Sequence, residues 1–238
     1  MKVSIIVPAY NEEKSIAKTL ASLQKQTYKD YELLVVDNNS KDKTGEIARK
    51  YSEKVFLETE KGYINAVNRG VKESTGEIIT FCDADSIYPS EWLGKVVQEF
   101  SKDKDAVVVY GSASTHDASF LMNMVNSFFY TLFLRISRLF GLDNTSGFNF
   151  AFKKEAFLKV GGYDPKYKKM SPDIELGKRL KKEGRIIFNP SIKVQSSFRR
   201  FQDGGTFKTS WMFLKSWWAM LIGKTPDVSY DEYNKEIR

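Results

Sequence analysis

The chain has 238 residues and carries 37 Lys and Arg against 30 Asp and Glu, a formal charge of +7 with a pI near 9.2. That length holds one sizeable core with a short appendage, and the basic balance favours an anionic partner: a nucleotide, a nucleic acid or an acidic membrane surface. Nucleic acid is disfavoured, because the basic residues are dispersed and no zinc-finger, RNP-type or helix-turn-helix signature is present, and the lone cysteine, Cys82, excludes an intrachain disulfide.

Val3-Ser4-Ile5-Ile6-Val7-Pro8 reads as a buried strand running into Ala9-Tyr10-Asn11-Glu12-Glu13. No charged leader with an apolar core precedes it, so the expected compartment is reducing cytoplasm. A helix is predicted from about Glu13 to Gln26. A second apolar strand, Tyr31 to Asp37, ends in the polar loop Asp37-Asn38-Asn39-Ser40-Lys41-Asp42-Lys43-Thr44. A helix over Thr44–Ser52, a short strand over Val55–Leu57 and a helix over Ile64–Glu73 lead to the run Ile78-Ile79-Thr80-Phe81-Cys82. Ser90 is placed as the N-cap of a helix reaching about Phe100, and Ala106–Tyr110 is a further buried strand. Strand and helix alternate, which predicts a largely parallel sheet with helices on both faces.

In such a sheet the loops at the carboxyl ends of the strands emerge on one edge, so the tips of the first, second and fourth strands converge on one ligand. The fourth delivers Asp83-Ala84-Asp85, two carboxylates one residue apart. Such a pair suits a hard divalent cation that in turn holds a diphosphate, which points to metal-dependent nucleotide chemistry. Cys82 reads as a small buried apolar residue beside it.

Beyond Tyr110 the texture changes. No charged residue falls between Ala118 and Leu134, a stretch rich in Phe, Leu and Met but punctuated by Asn123, Asn126 and Ser127 and too short for a spanning helix. Phe207 to Ile222 interleaves Trp211, Trp217 and Trp218 with Lys208 and Lys215. Rings mixed with ammonium groups fit a helix lying in a membrane interface; packing on a core or against a second subunit is the other reading.

The string Val3–Glu12, the loop Asp37–Thr44, Asp83-Ala84-Asp85 and Ser171-Pro172-Asp173-Ile174-Glu175-Leu176 together resemble the four successive signatures of family 2 glycosyltransferases of the GT-A fold, in order, across roughly residues 1 to 200. The resemblance implies an α/β, Rossmann-like three-layer sandwich with a mainly parallel central sheet and a C-terminal amphipathic helical appendage. Residues 1–110 would form the nucleotide-binding half, 111–200 the acceptor half, and 201–238 a mobile loop and amphipathic helix. It implies that Pro8, Tyr10, Glu12 and Asp37 hold base and ribose, that Lys61 beside Gly62 meets a phosphate, and that Arg199 and Arg200 close on the diphosphate. Asp85 would ligate Mn²⁺ or Mg²⁺, with Asp83 on the ion or the ribose and Ala84 between them along the donor.

Asp173 is the candidate base for the acceptor hydroxyl, with Glu175 as the alternative base or as a partner for Arg179. Gly147-Phe148-Asn149-Phe150-Ala151-Phe152 and Gly161-Gly162-Tyr163-Asp164 resemble the acceptor-side strand and turn. His116, after the following strand, is placed near this edge as a polar loop residue. The chain departs from the pattern in carrying Asp37-Asn38-Asn39 where many relatives show Asp-Asp-Gly, and Pro172 where they carry an acid. It lacks the Gln-x-x-Arg-Trp signature of processive polysaccharide synthases, which argues against polymer extrusion.

The expected function is transfer of a hexose, with inversion, from a UDP- or GDP-sugar to a hydroxyl acceptor. A lipid-linked sugar or glycolipid at the cytoplasmic membrane face is the preferred acceptor, with peripheral membrane attachment and a possible homodimer. A polyprenyl-phosphate sugar synthase is one rival, a sugar nucleotidyltransferase another, disfavoured by the lack of an Arg-containing glycine-rich phosphate loop. A catalytically silent membrane-associated scaffold is the reading from a different class.

Overall fold

The computed structural model describes residues 1–167, 172–199 and 205–226. Seven strands and eight helices follow in the order β1 (Val3–Ala9), α1 (Ile16–Gln24), β2 (Tyr31–Asp37), α2 (Thr44–Ala48), β3 (Lys54–Leu57), α3 (Tyr63–Glu73), β4 (Ile78–Phe81), α4 (Trp92–Lys102), β5 (Ala106–Thr115), α5 (Phe120–Leu139), β6 (Phe150–Lys153), α6 (Lys154–Lys159), α7 (Pro172–Leu180), β7 (Arg185–Ser196) and α8 (Thr206–Leu221) among the described residues. One sheet runs β3-β2-β1-β4-β6-β5-β7, in which only β6 is antiparallel to its neighbours.

Strand alternation divides the interior into two cores. Ile5, Val7 and Val35 face Leu20 and Leu23 of α1 and Trp92 and Val96 of α4. Ile6, Leu34 and Phe81 face the other way, onto Val67 and Val71 of α3 and Leu176 of α7. A sheet buried on both faces reads in sequence as continuous apolar runs, which is why β1, β2 and β4 were recognisable. α3 lies so close to β1 that a Cβ at Gly70 would stand 2.4 Å from Ile6 Cγ2, so only glycine fits there.

Several predicted boundaries move. α1 begins at Ile16 and not Glu13, because Asn11 adopts φ +54° and the backbone of Glu12 and Glu13 is engaged by the β2–α2 loop. α2 ends at Ala48, short of Ser52. Ser90 is not the N-cap of α4: Glu91 holds that position without a side-chain cap, and the Ser90 carbonyl accepts the Thr27 N–H at 2.8 Å. β5 runs on to Thr115 because its outer half pairs with Lys193–Ser196 of β7.

At the amino end of the sheet Glu32 is buried and carries its charge on four donors. Ser4 Oγ and Lys54 Nζ each lie 2.5 Å away, and the Thr75 N–H and hydroxyl donate at 2.6 and 3.0 Å. Burial alone would raise this carboxyl, but the bonds from Lys54, Ser4 and Thr75 outweigh it and hold the pKa at about 2.

Against the far side of the sheet, α5 and α8 pack together. Trp217 Nε1 donates to Ser137 Oγ at 2.8 Å, and its ring meets Phe133 and Phe140 edge-on at 5.7 and 6.4 Å. Lys178 Nζ donates to the Met220 carbonyl, tying α8 to α7. The outer faces stay uncovered: Phe120, Phe128, Phe129 and Leu139 on α5, and Trp211, Leu214 and Trp218 on α8, are all about half exposed or more. Among the described residues no helix is long and apolar enough to cross a membrane.

Candidate active site

Three loops at the carboxyl edge are stitched to one another. The β1–α1 loop carries Asn11, whose N–H donates to Ser40 Oγ at 3.0 Å and whose Oδ1 accepts the Lys41 N–H at 2.8 Å. The Glu12 N–H donates to Thr44 Oγ1 at 2.8 Å and the Glu13 N–H to Asp42 Oδ2 at 3.1 Å. Asp37 Oδ1 caps the turn by accepting the Ser40 N–H. Asn38 is buried and structural: its Nδ2 donates to the carbonyls of Glu58 and Glu60, and its Oδ1 accepts the Gly62 N–H at 2.7 Å. That bond fixes the β3–α3 loop and brings Lys61 over the Tyr10 ring, 5.2 Å from its centroid, with Nζ donating to Tyr10 Oη at 3.2 Å. Pro8 is in β1, opposite Val36 of β2, one residue before the loop.

β4 stops at Phe81, where its pairing to Phe150 of β6 ends, and releases the loop that bears the paired acids. Cys82 is fully buried, and burial pushes its thiol far above the ordinary range, so it is inert. The Ala84 carbonyl accepts Thr19 Oγ1 at 2.9 Å, which anchors the loop to α1 and leaves Asp83 and Asp85 half-buried on either side. From the β5 end, His116 Nε2 lies 3.0 Å from the Asp85 carbonyl. Arg199, just after β7, sets one guanidinium nitrogen 3.0 Å from Glu12 Oε1 and 3.3 Å from Asp85 Oδ2. Arg200 and Ser171 lie outside the described residues.

Asp173 stands in the first turn of α7, after Pro172, whose fixed φ suits the first turn of a helix. Its Oδ1 accepts two phenols, the buried Tyr163 at 2.5 Å and the half-buried Tyr63 at 3.4 Å. Thr145 Oγ1 donates to its carbonyl at 2.7 Å. A Cβ at Gly147 would lie 3.0 Å from Asp173 Oδ2 and 2.7 Å from Tyr63 Oη, so this wall of the niche must be glycine. Burial pushes the Asp173 carboxyl up to about 6, against the bonds from Tyr163, the Gly147 N–H and Tyr63, which lower it. Burial likewise raises Tyr63, helped by the charges of Asp173 and Asp83, which places the acid pair and the niche within electrostatic reach of each other.

Glu175 is the partner of Arg179, the second of the two readings the sequence offered. It is buried in a forked pair with Arg179, with both bonds at 2.6 Å, and Arg179 also donates to the Val160 carbonyl. Neither Tyr63 nor Asp117, which binds the segment after β7, was marked by the sequence; Tyr163 was marked only as part of an acceptor-side turn. Two surface hollows, of about 540 and 460 Å³, hold none of these residues.

Among the described residues no three His, Cys, Asp or Glu side chains form a closed metal cage. Asp83 and Asp85 instead offer a few oxygens, the donor set of a hard cation that completes its shell on phosphate oxygens, and a cationic guanidinium already lies against Asp85. The residues therefore fit Mg²⁺ or Mn²⁺ held jointly with a nucleoside diphosphate.

A three-layer sandwich with this strand order and acids at the carboxyl edge is the GT-A class of α/β fold. Over 99% of the chain it superposes on 69% of the mannosyltransferase PcManGT from Pyrobaculum calidifontis, in complex with GDP-Man and Mn²⁺, with a TM-score of 0.71 at 23% identity. S. aureus TarS 1-349 in complex with UDP-GlcNAc gives 0.67 at 20% identity, over 100% of this chain and 70% of that one. Residues 4–161 match Glycosyl transferase family 2, and the chain belongs to that family.

Relatives include a probable glycosyltransferase, YdaM, of Bacillus subtilis, 30% identical over 91% of this chain and 54% of its own. A glucosyl-dolichyl phosphate glucuronosyltransferase of Haloferax volcanii is 24% identical over 98% of this chain and 79% of its own. The chain spans only 42% of the poly-beta-1,6-N-acetyl-D-glucosamine synthase of Staphylococcus epidermidis, at 27% identity over 68% of this chain.

Proposed function

We propose that the chain is a metal-dependent, inverting hexosyltransferase that moves a sugar from a UDP- or GDP-sugar to a hydroxyl of a lipid-linked sugar or glycolipid at the cytoplasmic membrane face. The observation that carries this reading is the gathering of Asp37, the Asp83–Asp85 pair and the niche of Asp173 at one edge of the sheet of a family 2 glycosyltransferase.

Tyr10 and Lys61 form a rim on which a base or phosphate can rest, and Asp37 stands one loop away for ribose hydroxyls. Asp85 and Asp83 would hold the ion, which supplies positive charge to the departing diphosphate. Asp173 takes the acceptor proton as that oxygen bonds to the anomeric carbon; the bond from that carbon to the diphosphate breaks, and its electron pair leaves with the nucleoside diphosphate. A carboxyl with a pKa near 6 is ionised at neutral pH yet basic enough to share a proton in the transition state. Tyr163 and Tyr63 both hold Oδ1 and so fix the orientation of the carboxyl.

The lipid acceptor and the membrane face are supported by the α5–α8 surface. Its large apolar side chains are uncovered, and Phe120–Leu142 with Gly205–Lys224 includes five Lys and Arg and no acid. A relative matching nearly the whole chain is named for a glucosyl-dolichyl phosphate acceptor. The test is transfer of labelled sugar from a donor panel to lipid extract in anionic vesicles. A chloroform-soluble labelled product, lost in Asp173→Asn, is expected. Release of nucleoside diphosphate with label only in the aqueous phase would contradict the lipid acceptor.

A further inference from the structure

Arg199 reaches the acid loops from the opposite side of the sheet edge, and the contacts behind it hold it there. β5 and β7 pair out to Thr115 and Ser196, and the His116 N–H continues the ladder to the Ser196 carbonyl. Beyond this, Asp117 takes over. Its Oδ2 accepts the Ser197 hydroxyl at 2.7 Å, and its two oxygens accept the Phe198 N–H at 2.7 and 2.9 Å. The Ser197 hydroxyl oxygen in turn accepts the Arg199 N–H at 3.1 Å. The same β5 turn sets His116 against the Asp85 carbonyl. One turn thus fixes both the acid loop and the segment that carries the arginine.

At the far end, a single Arg199 nitrogen serves Glu12 from the β1 loop and Asp85 from the β4 loop. Carboxylates delivered by different strands repel each other unless a cation lies between them.

We propose that Arg199 is the resident counter-cation of these acids, positioned by Asp117, and that a divalent ion and Arg199 compete for Asp85 until a diphosphate arrives to accept both. The proposal rests on the reading of Asp85 as a metal ligand. A dication bonded to Asp85 brings two positive charges against the guanidinium, so metal alone binds at the cost of the Arg199 contact. A diphosphate adds negative oxygens on which the ion and the fork-shaped guanidinium can sit together. The consequence is positive coupling: metal and nucleotide each bind better in the presence of the other, through one arginine.

The experiment is Mn²⁺ titration followed by the electron paramagnetic resonance of free Mn²⁺, without nucleotide and with UDP or GDP. It is run on wild type, Arg199→Ala, Arg199→Lys, Asp117→Ala and Asp85→Ala, each checked for folding by its melting transition. In Arg199→Ala, Mn²⁺ alone is expected to bind about 3- to 10-fold more tightly, and the gain in affinity from adding nucleotide to shrink by about 10-fold. Asp117→Ala changes both in the same direction without touching the acids, and Arg199→Lys restores the competition but not the full coupling. An Arg199→Ala variant with wild-type Mn²⁺ affinity and wild-type coupling overturns the proposal while Asp85 remains the ligand. Mn²⁺ binding unaffected by Asp85→Ala, or no Mn²⁺ binding at all, overturns the metal reading and this proposal with it.

Discussion

Glu32 and Asp173 are carboxylates set into opposite ends of the same fold, and the protein drives them in opposite directions. At the amino end, Glu32 receives an ammonium, two hydroxyls and a backbone N–H, and its pKa falls to about 2. At the carboxyl end, Asp173 receives two phenols and a backbone N–H but, among the described residues, no cation, and burial lifts it to about 6. The two acids diverge because an ion pair favours the charged form of Glu32, where the neutral hydroxyls around Asp173 only partly offset desolvation. The first arrangement contributes to stability; the second keeps a carboxyl titrating near neutral pH, as the base proposed above requires.

The largest effect is expected at Asp173. Asp173→Asn is expected to lower kcat by about 10²- to 10⁴-fold in a labelled-sugar transfer assay. Its melting temperature at pH 8 should hold or rise. A folded-state pKa raised from 3.8 to about 6 means that the native charge opposes folding as pH climbs through that window, and the amide removes this opposition. Glu32→Gln should do the reverse: a loss of about 3 kcal/mol in denaturant unfolding, with turnover per folded molecule unchanged. The sign of its pH dependence follows from the lowered pKa. The stabilisation is complete above pH 4.5 and disappears as pH falls from there toward 2, so the mutant and wild-type stabilities should converge in acid.

Three smaller effects are expected. The pH profile of kcat/KM should rise through about pH 6 and level off above it, following ionisation of Asp173. Removing the Tyr163 hydroxyl with Phe takes away a bond that lowers that pKa, so the acid limb should move up by about one unit, more than in Tyr63→Phe, whose bond is longer. On the outer helices, Trp218→Ser should weaken sedimentation with anionic vesicles about tenfold and leave soluble-donor binding intact.

The frame of the molecule was readable from the sequence for a physical reason. Strands buried on both faces need unbroken apolar runs, and the polar tips of β1, β2 and β4 stand out against them. Asp173 was located through its motif resemblance and not through its surroundings. Its partner Tyr63 was hidden because the two are joined only by folding, 110 residues apart in sequence, and the link of Asp117 to Ser197, 80 residues apart, was hidden for the same reason. Glu175 stayed ambiguous until the forked pair with Arg179 placed it. Ser90 failed as a cap because its carbonyl is engaged by Thr27, a contact no local pattern announces. Asn38, which departs from the family pattern, is explained by three bonds to the loop that carries Lys61.

That the carboxyl edge is a donor site is tested most directly by calorimetric titration of UDP- and GDP-sugars with Mn²⁺ and with chelator, on wild type and Asp85→Ala. Heat of binding for one donor that requires the metal and vanishes in the variant is the result this account expects. Silence from every donor, or binding that Asp85→Ala leaves unchanged, would contradict it.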